Sequence, residues 1–202
     1  KNKPIIFYTI DNAVKSKLFN KIHISTDSSL IKKIVKKKKL QIEFMRSKKL
    51  SDDKTPLFKV YNFVVNEYKK RGFVFDEIWS IMPCAPNLEV NDIKKISKFY
   101  NKLKVKNPIL SVSEYKVPIE WAFNIKKSGN LIPINQKSQL RRSQDIKKKY
   151  YDAGQFCVYP GKKFFTYNFI KKNYYYIGYI LPSRKSVDID DIEDWKLAEK
   201  LH

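Results

Sequence analysis

Apolar positions along the chain alternate between a helical and an extended rhythm, and the alternation predicts the elements in order. Residues 4–17 read as a helix, with Pro4 near its first turn and Ile5, Ile6, Ile10 and Val14 recurring at helical spacing. Residues 21–26 (KIHIST) read as a short strand, which Asp27 and Ser28 end before capping a helix over 29–38. A second strand is predicted at 40–45, and a helix at 54–71 that Gly72 closes. Residues 75–82 are almost continuously apolar, the pattern of a strand buried on both faces. A helix at 90–103 and a strand at 108–112 follow. Repeated strand–helix units predict an α/β, doubly wound, mostly parallel sheet.

The rhythm breaks over residues 113–151, which are irregular, polar and basic, with an extended piece at 121–126. This stretch is expected to leave the main sheet as an insertion used for substrate contact or subunit pairing. A strand at 154–159, a short helix at 162–171, a strand at 174–181 and a closing helix at 191–201 complete the prediction. No internal repeat or low-complexity linker is visible, so 1–202 is expected to form one domain. A parallel α/β domain ordinarily opens with a strand and a phosphate-binding loop. This sequence opens on a helix, so that first strand and its loop are expected to be missing from it.

Composition changes this picture little, and charge somewhat more. No stretch is apolar for long enough to span a membrane as a helix. The start shows no cleavage pattern, and Cys84 and Cys157 lie far apart with no metal-type spacing, so free thiols in a reducing cytoplasm are expected. The net charge of +22 invites a nucleic-acid reading. The lysines, however, are spread in runs such as 36–39 and 147–149 and travel with Ile, Asn, Tyr and Phe, a mixture that an AT-rich genome encodes. The aromatics fall mostly inside predicted strands and helices rather than along a base-stacking groove. A basic field remains suited to attracting small anionic ligands, with no specific nucleic acid expected.

Four segments carry candidate chemistry. In Ser186-Val-Asp-Ile-Asp-Asp-Ile-Glu-Asp-Trp195, Asp188 and Asp190 stand at i and i+2, which in extended backbone puts both carboxylates on one side. Paired hard oxygens suit Mg²⁺. The competing reading is a helix start rich in acids, and it is adopted for Asp191, Glu193 and Asp194. Ser80-Ile-Met-Pro-Cys-Ala-Pro86 ends a strand in a rigid bend, at the sheet edge where ligands bind in open α/β folds; it also reads as a plain strand terminator. Arg46, followed by Leu50-Ser-Asp-Asp53, is placed to meet a base or phosphate, against a competing reading as surface charge. Arg141-Arg-Ser-Gln-Asp145 leads into Asp152-Ala-Gly-Gln-Phe156, where an Arg can grip a carboxylate in two prongs and Gly154 permits close approach; the bland alternative is a basic loop and a strand start. His23 and His202 have no third partner that would suggest a triad or a zinc site, and no Gly-rich phosphate loop is present.

In order, these pieces resemble the CMP-sugar synthetase family, the cytidylyltransferases for sialic, legionaminic and pseudaminic acids. The carriers are Lys3-Pro-Ile-Ile-Phe-Tyr-Thr-Ile10, Ser25-Thr-Asp-Ser28, Arg46 with Leu50-Ser-Asp-Asp53, Pro83-Cys-Ala-Pro86, and Asp188-Ile-Asp190 followed by Glu193-Asp-Trp195. Arg142-Ser-Gln-Asp145 and Asp152-Ala-Gly-Gln-Phe156 look most like the pseudaminic acid branch, and they argue against the related synthetase for an eight-carbon acid. Met82 and Glu120 depart from the sialic acid pattern of Gln and Lys, and Cys157 stands where Tyr is usual.

The resemblance implies a Rossmann-like nucleotidyltransferase of the nucleotide-diphospho-sugar transferase type, with a dimerisation insertion over 113–151 and a homodimer as the working unit. It implies transfer of CMP from CTP to a nine-carbon 2-keto acidic sugar with release of pyrophosphate. Asp188 and Asp190 would be catalytic residues and the Mg²⁺ ligands. Arg46, Asp53, Pro83 and Ala85 would meet the nucleotide, and Arg142, Gln144 and Gln155 the sugar.

Overall fold

The computed structural model describes residues 3–104, 107–166 and 175–202. Helix α1 (Ile6–Ser16) buries Phe7, Ile10 and Ala13, so its inward stripe is rotated from the expected one and Val14 stands half exposed. Helix α2 (Ser29–Lys36) is capped as anticipated: the Ser28 hydroxyl accepts from the Ile31 N–H at 3.3 Å, and Val35 is fully buried. Phe7, Ile10, Val35 and Ile42 form one apolar cluster. Helix α3 (Leu57–Lys70) follows, closed by Gly72 at φ 82°.

Strand β1 (Glu77–Ile81) leads through a tight turn into helix α4 (Val90–Lys102), and strand β2 (Ile109–Glu114) comes next. Beyond a short hairpin of β3 (Phe123–Ile125) and β4 (Leu131–Pro133), the long strand β5 (Tyr150–Pro160) re-enters the main sheet. Strand β6 (Ile177–Ile180) and helix α5 (Ile192–Leu201) complete the described elements. Of the helix expected over 162–171, residues 161–166 form a 3-10 turn and 167–171 lie outside the described residues, as does the start of the strand expected from 174.

The four-stranded sheet runs β1-β5-β2-β6. Strand β6 is parallel to β2, whereas β5 is antiparallel to both β1 and β2, pairing Trp79 with Val158 and Ile109 with Val158. The expected mostly parallel sheet is therefore mixed. β1, β2 and β6 share a direction, but β5 is delivered by the 113–151 excursion from the same edge at which β2 ends, so it can only return antiparallel. The register slips between Leu110 and Val112, where the buried Ser111 hydroxyl accepts the N–H groups of Gln155 at 3.2 Å and Phe156 at 3.1 Å.

Helix α4 covers one face of this sheet. Its Ile93, Ile96 and Tyr100, spaced for one helical stripe, pack with Ala85, Leu88, Ile109, Phe156, Val158 and Leu181. Each fully buried side chain of this size contributes roughly 1.5–3 kcal/mol. Val65, Tyr159 and Phe164 form a further cluster.

Two strand expectations fail. Residues 21–26 and 40–45 join no ladder among the described residues; a backbone bond, Arg46 N–H to Thr26 O at 2.8 Å, links their ends. Apolar alternation makes a strand only where a neighbour supplies hydrogen bonds. Residues 75–82 are also not buried on both faces. β1 pairs on one edge only, all five of its residues are half-buried, and its region borders a cleft of about 570 Å³ shared with 21–27, α1 and α3. In this region His23 stacks on Phe44 at 4.4 Å and its Nδ1 lies 3.2 Å from the Tyr68 hydroxyl.

Candidate active site

Because β1, β2 and β6 run the same way, their carboxyl ends gather at one edge, and the amino end of β5 joins them there. Five chain segments meet at this edge. After β1 comes the turn 82–88, held by Ala85 N–H to Met82 O and Leu88 N–H to Ala85 O, both at 3.3 Å. Asn12 of α1 donates to Leu88 O at 2.9 Å, and Thr9 Oγ1 reaches the Met82 and Pro83 carbonyls at 3.4 Å, so α1 steadies the bend. After β6 comes the acidic segment 186–191. The start of β5 supplies Asp152 and Gly154, and the 21–27 and 46–51 segments supply Asp27 and Arg46.

Asp188 and Asp190 are exposed, while Ile189 between them turns inward toward a small cavity lined by Tyr8, Pro86, Trp195 and Ala198. The i, i+2 geometry expected from the sequence is present. Gly154 lies so close that a Cβ there would sit 2.8 Å from Asp188 Oδ2. Partial burial, and next the charge of Asp190, push the Asp188 carboxyl above its usual range; Asp152 and Asp194 add to the same negative field. Pro86 and Ile189 line one small cavity, which places the 83–86 turn beside the acid pair, and the Cys84 thiol is pushed up by burial and then by Asp188. Asp191 and Asp194 are spent on α5: Asp191 Oδ1 accepts the N–H groups of Glu193 and Asp194, and Asp194 Oδ2 accepts that of Asp191.

This arrangement fits Mg²⁺. No ion pair among the described residues neutralises Asp188 or Asp190, and their mutual repulsion is the field a hard cation relieves. No group of three or more His, Cys, Asp or Glu side chains gathers into a metal cage among the described residues. One or two carboxylates completed by substrate phosphate is the usual set for Mg²⁺.

Arg46 and Pro83 line the same 570 Å³ cleft, together with Ser25, Asp27 and Ser80. Arg46 is held by its Nε donating to Ser51 Oγ at 2.9 Å and by Asp27 at 3.9 Å, so its guanidinium is aimed rather than free. Ala85 is fully buried in the turn, and Asp53 is exposed in the 51–55 loop.

The expected sugar-side residues behave differently. Arg142 and Gln144 are exposed on the insertion, and no hydrogen bond or ion pair among the described residues ties them to the acid pair. Gln155 is fully buried, and its amide donates to Ala153 O at 2.9 Å and Val187 O at 3.2 Å. Its position on β5 turns it into the sheet, where an unpaired amide would be costly, so it braces the acidic segment. Sequence reasoning passed over Asp152 beside Asp188, and Lys185, a buried lysine paired with Glu89 and Asp92. A signal for the bracing was present in Ser111-Val-Ser113, where hydroxyls occupy the inward positions of a strand.

The chain is 28% identical over 200 residues to a pseudaminic acid cytidylyltransferase of Campylobacter jejuni, covering 99% of this chain and 85% of that protein. It is 24% identical over 204 residues to a CMP-N,N′-diacetyllegionaminic acid synthase of Legionella pneumophila, covering 98% and 85%. Its fold is similar to that of a solved CMP:2-keto-3-deoxy-manno-octonic acid synthetase complexed with CTP, with a TM-score of 0.57 at 11% identity over 98% of this chain and 76% of the other. The family pattern described as cytidylyltransferase matches residues 1–194, and with that match over nearly its whole length the chain belongs to the cytidylyltransferase family of nucleotidyltransferases.

Proposed function

We propose that this chain transfers CMP from CTP to the anomeric hydroxyl of a nine-carbon 2-keto acidic sugar, with pseudaminic acid as the preferred acceptor. The observation that carries the reading is the uncompensated Asp188/Asp190 pair set beside the 83–86 turn at the carboxyl edge of the sheet, where β1 opens onto the Arg46 cleft. The pseudaminic acid relative supports the choice of sugar.

Arg46 and Pro83 hold the cytidine end in the cleft, with Asp53 and the Ala85 backbone at its rim. Arg142 takes the sugar carboxylate by a two-pronged contact, and Gln144 lies beside it. Mg²⁺, held by Asp188 and Asp190, supplies neutralisation of the phosphate charge when bound. The attacking sugar hydroxyl and the α-phosphate are positioned by these flanking groups, and pyrophosphate leaves. The working unit is a homodimer formed through the 113–151 insertion, whose β3–β4 hairpin exposes Phe123, Ile125, Leu131 and Ile134.

The test is pyrophosphate release with CTP, Mg²⁺ and a panel of acidic sugars. Release with pseudaminic acid well above that with sialic, legionaminic and eight-carbon acids is expected. Preference for one of the others would overturn the sugar assignment, and no CTP-dependent release with any of them would overturn the reaction.

A further inference from the structure

Two carboxylates that repel each other stay in register only if the backbone beneath them is pinned. In the segment before Asp188, three consecutive residues are each tied to a different element. Ser186 Oγ donates to Ser113 Oγ of β2 at 2.9 Å, and Val187 O accepts from Gln155 of β5 at 3.2 Å. Lys185 makes the third tie and the only charged one. Its side chain is buried, and its ammonium donates to Glu89 Oε2 at 2.9 Å and to Asp92 Oδ2.

The destination of that tie is what matters. Glu89 and Asp92 form the capping box of α4, Asp92 Oδ2 also accepting the Glu89 N–H at 2.9 Å. Helix α4 starts shortly after the 83–86 turn, whose Pro86 lines one small cavity with Ile189 of the acid segment. Asn87 adds a bond to Arg184 O at 3.4 Å. Lys185 thus joins the acidic segment to the turn that borders both the acid pair and the cleft.

We propose that Lys185 is a positioning residue for the acid pair: by clamping residues 183–188 to the amino end of α4, it fixes where Asp188 and Asp190 stand relative to the 83–86 turn. The inference rests on the reading of that pair as the Mg²⁺ site. A residue beneath a metal ligand characteristically changes metal affinity about 10- to 100-fold when removed. A purely stabilising ion pair would change the melting temperature and leave metal affinity alone.

The two roles separate in a pair of variants of the whole chain. Lys185→Met keeps the apolar stem but strands Asp92, so it is expected to lower stability. Lys185→Met/Asp92→Asn removes the stranded charge while the Asn side chain still caps Glu89 N–H, so it is expected to recover stability. Mn²⁺ binding without nucleotide, read by electron paramagnetic resonance, gives a measurement independent of turnover. Both variants are expected to bind Mn²⁺ roughly 10-fold or more weakly than the wild type and to need correspondingly more Mg²⁺ for half-maximal pyrophosphate release, with the KM for CTP little changed. A double variant that melts like the wild type and binds Mn²⁺ equally well would overturn the positioning role. Wild-type chain that binds Mn²⁺ no better than Asp188→Asn would overturn the metal site and this role with it, whereas inactivity toward the whole sugar panel with Mn²⁺ binding intact would sink the reaction and leave the positioning role standing.

Discussion

Gly154→Ala probes the join between β5 and the acid pair with a single methyl group. Gly154 has φ 62°, a left-handed conformation in which a side chain costs roughly 1–2 kcal/mol. The new Cβ would lie 2.8 Å from Asp188 Oδ2 and 3.2 Å from its Cγ, against ordinary contact beginning at 3.4 Å, so the carboxylate must retreat by 0.6 Å (3.4 − 2.8). The obstructing atoms belong to an exposed side-chain end rather than to backbone, so the retreat itself is cheap and the stability loss is mainly the φ penalty. For a chain of this length that is a fall of roughly 2–8 °C in melting temperature. Catalysis is less tolerant, because about 1 Å of misplacement can cost 100-fold. The expected result is a folded enzyme whose kcat in pyrophosphate release drops roughly 10-fold or more, with the KM for CTP little changed. Combined with Asp188→Asn, the substitution should add little further loss, since both act on one carboxylate. A Gly154→Ala enzyme with lowered stability but kcat within twofold of wild type would refute the claim that Gly154 is there to make room for Asp188.

Asp188→Asn should fold normally, its side chain being exposed, yet lose Mg²⁺-dependent CMP transfer by orders of magnitude; near-normal turnover would remove Asp188 from the site. Gly161→Ala should be far more damaging to stability than Gly154→Ala, because its Cβ would fall 1.8 Å from the Phe75 carbonyl oxygen, a backbone atom that cannot swing aside; a melting temperature near wild type would contradict this. Burial holds His23 at a pKa of about 4 against an ordinary 6.5, so its contribution to stability is complete above about pH 6.5 and is lost as pH falls toward 4. The gap would be worth about 3 kcal/mol at full burial and about 1–2 for this half-buried ring, and His23→Phe should flatten that part of the melting-temperature profile. Light scattering at micromolar concentration should give twice the chain mass, and Phe123→Asp on the exposed hairpin should shift it toward the monomer; a wild-type monomer would count against the dimer.

The sequence by itself determined the local elements whose signals are short-range. Ser28 and Asp191 cap their helices as their side chains require, Gly72 closes α3, and the Asp188-Ile-Asp190 spacing alone puts two carboxylates outward and one isoleucine inward. These outcomes depend on neighbours within a few residues, so local chemistry suffices. Partnership across the chain was not legible. Residues 21–26 carry a strand pattern without a ladder, β5 runs antiparallel between two strands that share a direction, and Gln155 is buried with its amide bracing Val187. Nor does any spacing announce that Lys185 will reach α4, or that Gly154 will face Asp188. Those facts depend on which backbone groups and charges the fold brings within a few ångströms, and only the tertiary structure decides that.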